Sequence, residues 1–129
     1  MTEQRGRVII PAGCKPWPHE LCTAEALAAA GHVVEFVAKR EGDHVRTADC
    51  LIDGELWEMK APESDKVARI AKNVRRALHQ SPRVVVDSRR AKRLKDDVFR
   101  RELKKCASEV RSLKGLIFVG RGGTVERIK

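Results

Sequence analysis

The sequence predicts an α/β fold: a mixed central β-sheet with helices on both faces. Three observations carry this expectation. The run Val84-Val85-Val86 is short, unbroken and apolar, as in a strand buried on both sides. Two amphipathic helical segments bracket it, which requires crossover connections rather than tight turns. A hairpin over residues 45–60 carries large apolar residues on both faces, whereas a sheet covered on one side alternates more cleanly. At 129 residues the chain has the size of one domain. Residues 1–18 read as an irregular N-terminal segment with a candidate edge strand, and residues 19–129 as the single domain.

The elements follow in order. Val8-Ile9-Ile10 is the candidate edge strand, before a stretch rich in Pro and Gly. A first helix is expected from about Pro18 to Ala30, with proline at its start and Gly31 at its C-terminal end. Leu21, Ala24, Leu27 and Ala28 follow helical spacing along it. His32 to Ala38, rich in Val and Phe, reads as a strand, and Glu41-Gly42-Asp43 as a turn into the hairpin. Asp53-Gly54 is a two-residue type I′ turn signal, because both central residues need positive φ. A second helix begins after Pro62 with Ser64 or Asp65 as its N-cap. Its stripe is Val67, Ile70, Ala71, Val74, Ala77 and Leu78, and Ser81-Pro82 ends it. A third helix is expected from Lys95 to Leu113, with Leu94, Val98, Phe99, Leu103, Cys106, Val110 and Leu113 inward. Leu116–Val119 reads as another buried strand, and Gly122-Gly123 turns into a last one, Thr124–Ile128. The order is thus α-β-β-β-α-β-α-β-β.

Charge is large and uneven. The net value is +9, yet residues 1–65 hold 7 Lys/Arg against 12 Asp/Glu, and residues 66–129 hold 20 against 6. An acidic front and a strongly basic back point to a polyanionic partner and a separate acidic site. A well-solvated charged surface is the plain alternative. The second helix presents Lys66, Arg69, Lys72, Arg75, Arg76 and His79 outside its apolar stripe, and Arg89, Arg90, Lys92, Arg93 and Lys95 crowd the loop that follows. Such residues contact phosphates without reading sequence, and make binding steeply salt-dependent. Lys66, Arg69, Lys72, Arg76, Arg89 and Arg90 are the candidate nucleic-acid contacts. Five aromatics are too few for a base-stacking platform, which favours a structured substrate gripped by its backbone. Cys14, Cys22, Cys50 and Cys106 form no CxxC pair; a site from Cys14, His19 and Cys22 is conceivable, with reduced thiols the simpler reading. VIIPAG follows charged residues and lacks the apolar length of a secretory segment. No stretch approaches the roughly 20 apolar residues that span a bilayer. The expectation is a soluble protein in a reducing cytoplasm with no membrane partner.

The hairpin concentrates the chemistry. With Asp53 and Gly54 as the loop, Asp49 sits opposite Glu58, Cβ atoms roughly 4.5–5.5 Å apart. Lys60 lies two residues beyond Glu58, on the same face of the pleat. Paired carboxylates repel and weaken a hairpin unless a cation or shared proton compensates. They suit a hard divalent cation, Mg2+ first, with Mn2+ or Zn2+ as alternatives. Such an ion lowers the pKa of an attacking water and stabilises charge building on a phosphate. Lys60 is placed to orient that water or neutralise the charge. A cross-strand salt-bridge cluster on a solvated face is the structural alternative.

Element order with acids and lysine at these places resembles the PD-(D/E)XK (restriction-endonuclease-like) nuclease superfamily. More narrowly, "HE..TAEALAAAGHVVEF", "TADCLIDGELWEMKAP" and "ALHQSPRVVVD" together resemble the CdiA C-terminal tRNase domain family, which includes toxin modules of contact-dependent growth inhibition systems. The resemblance runs from about His19 to Ile128. It implies a metal-dependent nuclease with tRNA as substrate, DNA being the superfamily's main rival, and a neutralising, acidic immunity protein as partner. It implies Asp49 and Glu58 as metal ligands, Lys60 as catalytic lysine, Glu20 as an additional acid and Gln80 as a residue of the site. The proline that commonly precedes the motif Asp is Ala48 here, a change of backbone rather than chemistry. Glu20 has an ordinary alternative as a first-turn carboxylate beside the helix dipole, and Gln80 as a helix-end residue. Two further functional readings stay open: attack by RNA's own 2′-OH with Lys60 and a carboxylate as acid and base, and a non-catalytic nucleic-acid-binding module.

Overall fold

Asp53 and Gly54 both adopt positive φ, 50° and 87°, so the two-residue turn forms as its sequence requires. It joins β3 (Cys50–Ile52) to β4 (Glu55–Lys60). A computed structural model describes residues 6–38 and 49–129; the turn expected at Glu41-Gly42-Asp43 and the first residues of the hairpin lie outside the described residues. The turn is also clipped from outside: the His32 ring Nδ1 lies 2.7 Å from Asp53 Oδ2, and the Val33 N–H donates to Asp53 Oδ1 at 2.9 Å.

The remaining elements are β1 (Arg7–Ile9), α1 (Pro18–Ala29), β2 (Val33–Phe36), α2 (Ala68–Ala77), β5 (Arg83–Asp87), α3 (Asp96–Glu109), β6 (Gly115–Val119) and β7 (Val125–Arg127), with a 3₁₀ turn at Arg121–Gly123. The seven strands form one sheet in chain order, β1 to β7. β1 runs parallel to β2, and β4, β5 and β6 are mutually parallel; the β2–β3, β3–β4 and β6–β7 pairs are antiparallel. The sheet is mixed, as expected, and each parallel step is bridged by a helix.

Strand alternation splits the core in two. Val84, Val86, Leu116 and Phe118 pack under α2 and α3, against Ile70, Val74, Phe99 and Leu103. Val85, Ile117, Val119, Trp57 and Met59 face the other way, against Ala24, Ala26 and Leu27 of α1. Both sheet faces are therefore covered, and the Val84–Val86 run is fully buried. The alanines of α1 let that helix lie close to the sheet, and Gly31 at φ 101° ends it in the left-handed conformation glycine tolerates.

Boundaries that differ from the sequence expectation include the start of α2 and the end of α3. α2 begins at Ala68, after single turns in which Arg69 N–H reaches Lys66 O and Ile70 N–H reaches Val67 O. Ser64 Oγ instead accepts the Lys66 N–H at 3.1 Å. It closes a local turn ahead of the helix, a competing use of serine hydroxyls. α3 ends at Glu109 rather than Leu113, because Val110 turns extended (φ −101°, ψ 101°). Leu113 still reaches the core, from a turn. The freed carbonyls of Ala107 and Val110 accept hydrogen bonds from Lys129 Nζ at 2.8 and 3.1 Å. A residue from the chain's far end supplies that cap. Among the described residues no helix is long and apolar enough to cross a membrane.

Candidate functional site

The β3–β4 register pairs Cys50 with Trp57, Leu51 with Leu56 and Ile52 with Glu55, and one step further puts Asp49 opposite Glu58. Both side chains are buried. The Asp49 N–H donates to Glu58 Oε1 at 3.2 Å, and the Met59 N–H donates to Asp49 Oδ2 at 3.0 Å. Each carboxylate thus gains a backbone donor, which offsets part of their mutual repulsion and of their desolvation. The concentration of negative charge registers on their neighbour. Burial first, then the charges of Asp49, Glu58 and Glu20, push the Cys50 thiol far above its ordinary pKa.

Glu20 arrives from the opposite face of the sheet, on the first turn of α1. Its Oε1 accepts the Trp17 N–H at 2.8 Å, so it caps its own helix. It also shares a cleft of about 170 Å3 with Asp49, lined further by Lys15, Trp17 and Phe36. Lys60 is half-buried at the end of β4 and pairs with Val86, while Glu58 pairs with Val84. Period-2 geometry keeps Glu58 and Lys60 on one face. Gln80 follows α2, its N–H returning to the Ala77 carbonyl at 2.9 Å. The next residue, Ser81, donates its hydroxyl to Leu56 O at 2.7 Å, so Gln80 stands beside the opening of β4 rather than its Lys60 end. The structure thus joins Asp49 to Glu58 and Glu20 to Asp49, and leaves Lys60 and Gln80 toward opposite ends of β4.

One buried acid escaped the sequence reading. Asp87 closes β5 at the same end of the sheet as Lys60, and is 3% exposed. Its Oδ2 accepts the Thr23 hydroxyl of α1 at 2.6 Å. Arg89 grips the same carboxylate with Nε and Nη2, at 3.0 and 2.7 Å. This network locks α1 to the end of β5, and with His19, Cys22 and Arg90 it lines a second cleft of about 190 Å3. The signal in the sequence was a lone Asp ending an all-valine strand, where a charge is costly unless paired.

The basic residues divide into two groups. Lys66, Arg69, Lys72 and Arg76 are all exposed and recur at three- and four-residue intervals, Lys66 just ahead of α2 and the other three along it. Arg89 and Arg90 are engaged within the protein: Arg89 with Asp87, and Arg90 with Glu63 and the Ala61 carbonyl.

Among the described residues no group of three or more His, Cys, Asp or Glu is gathered as a metal cluster, and this includes Cys14, His19 and Cys22. The Asp49–Glu58 donor set nevertheless fits a hard cation of the Mg2+ type, which takes one or two carboxylates and keeps several waters.

A mixed sheet between α1 on one face and α2 and α3 on the other, with an acidic cleft at one end, defines the class of domain. The family model for the contact-dependent growth inhibition CdiA C-terminal domain matches residues 46–125, and the chain belongs to that family. Its fold is shared by a solved structure described as a CdiA-CT/CdiI toxin and immunity complex from Burkholderia pseudomallei, with a TM-score of 0.73. That alignment covers 95% of this chain and 99% of the other at 18% identity. A search of curated proteins found no match.

Proposed function

We propose that this protein is a toxic nuclease of contact-dependent growth inhibition, hydrolysing phosphodiester bonds in tRNA with a divalent metal ion. The observation that carries the reading is the Asp49–Glu58 pair, held across a hairpin with Lys60 on the Glu58 face and the Glu20 cleft alongside. Two buried acids facing each other are a poor way to stabilise a hairpin, and a sound way to hold a cation. A Mg2+ ion held by Asp49 and Glu58 would supply Lewis acidity to the phosphate and a more acidic bound water. Lys60 contributes a point charge for the developing phosphate negative charge. Glu20 adds a carboxylate at the cleft, and Gln80 a polar group beside the start of β4. Lys66, Arg69, Lys72 and Arg76 supply the backbone contacts that bring a polyanion to the acidic end. Family membership supports the toxin role, and the solved neighbour, described as a toxin and immunity complex, supports an immunity protein as partner; the basic second half of this chain suits an acidic one.

The test is incubation with total RNA, purified tRNA and plasmid DNA, with Mg2+ and with EDTA, for wild type, Glu58→Ala and Lys60→Ala. Cleavage of tRNA that needs Mg2+ and falls by at least about 100-fold in either variant is the expected result. Cleavage undiminished in EDTA would point instead to attack by the 2′-OH. Preference for plasmid DNA would reassign the substrate, and variants that alter only binding would leave a non-catalytic nucleic-acid module.

A further inference from the structure

Trp17 is the most exposed large apolar side chain among the described residues, at 69%, while Trp57 is 2% exposed. Tryptophan is highly buried on average, so an indole this exposed stands out. The backbone beneath this one is held firmly. Pro16 and Pro18 flank it, each with φ set by its ring. Its N–H donates to Glu20 Oε1 at 2.8 Å, and its carbonyl accepts the Leu21 N–H at 3.0 Å. Only the two side-chain torsions remain to be ordered on binding, a low entropic cost for a large flat surface. Trp17 lines the cleft that Glu20 and Asp49 share, and so does Lys15. A flat aromatic face, a cation and the acids of the reaction centre therefore line one opening.

We infer that Trp17 stacks on a single unpaired nucleobase of the substrate, with Lys15 at an adjoining phosphate, and so directs cleavage to unpaired nucleotides. The inference rests on the nuclease reading above and specifies the form of its substrate. A base inside a continuous duplex is stacked on both sides and offers no face to an indole, whereas loops, bulges and ends do. Stacking accepts any base, so it selects structure rather than sequence. A protein partner seated on the same indole is the competing occupant. Lys15, and the place of the indole beside the proposed reaction centre, favour the nucleotide.

The chain has two tryptophans and no tyrosine, and Trp57 is buried out of reach of a ligand, so quenching that disappears in Trp17→Phe is assigned to Trp17. The Lys60→Ala chain, chosen to suppress turnover, is titrated with tRNA, a single-stranded oligoribonucleotide and a blunt RNA duplex. Saturable quenching by the first two and not by the duplex is expected. In the otherwise wild-type chain, Trp17→Ala should raise KM for tRNA about tenfold with kcat within about twofold, and Trp17→Phe should restore most of the loss. If wild type cleaves tRNA while Trp17→Ala matches its KM and no quenching occurs, the stacking role is overturned and the indole is left to a protein partner. If wild type neither binds nor cleaves any nucleic acid, the nuclease reading falls and the stacking role with it.

Discussion

Asp87 shows how one residue ties a functional end together. Its carboxylate is 3% exposed and satisfied by Thr23 and the fork of Arg89. Removing it leaves a guanidinium with 30% side-chain exposure facing a hole. Asp87→Ala should cost about 2–3 kcal/mol, below the range for fully buried pairs, because Arg89 is partly screened. Urea unfolding measures it, and a shift under about 0.5 kcal/mol would show that the network is dispensable. Asp87→Asn should recover part of the loss, keeping an acceptor for Thr23 but not the charge. Asp49 and Glu58 differ in kind: their hydrogen bonds come from backbone N–H groups of the hairpin they repel within, so fold and site share the same two carboxylates.

At the scale of elements, the β3–β4 hairpin sets the register on which the acidic pair depends. Gly54 sits at φ 87° with open space around its Cα, so a methyl group there meets no neighbour and the penalty is purely conformational. Gly54→Ala should destabilise by about 1 kcal/mol, lowering Tm by about 4 °C for a domain of this size. Calorimetry checks it; an unchanged Tm would mean that the turn tolerates rearrangement. The helices illustrate the opposite dependence. α1 carries its own cap through Glu20, whereas the last carbonyls around α3 rely on Lys129, more than a dozen residues downstream.

The whole molecule is electrically divided, with acids gathered at the α1–β3–β4 end and basic residues in the second half of the chain. The exposed residues Lys66, Arg69, Lys72 and Arg76 are one part of that field open to a polyanion, beside others such as Lys92, Arg93 and Lys104. Replacing all four with alanine should weaken nucleic-acid binding across sequences and reduce the slope of log K against log salt by about 2–4. Filter binding at several salt concentrations reads the slope. Arg89→Gln should change it far less and lower stability instead, since that charge is spent on Asp87.

Much of this was legible from sequence because it is local or periodic. The Asp53-Gly54 turn fixes a two-residue loop, and counting outward from it puts Asp49 against Glu58 without further information. The Val84–Val86 run and the 3.6-residue stripe of α2 announce a strand buried on both faces and a helix on one. The rest depends on partners distant in sequence. The end of α3 at Glu109 depends on chain reversal into β6 and on Lys129, and apolar spacing continuing to Leu113 could not reveal it. Asp87, Thr23 and Arg89 form one network only because α1 folds back over the end of β5, bringing residues 64 positions apart to 2.6 Å. By itself, then, the sequence determined the hairpin register, its acidic pair and the alternation of elements, since backbone geometry dictates these over a few residues. Tertiary packing alone decided which charges face solvent and which are consumed inside, because burial and pairing are properties of surfaces that meet only in the folded chain.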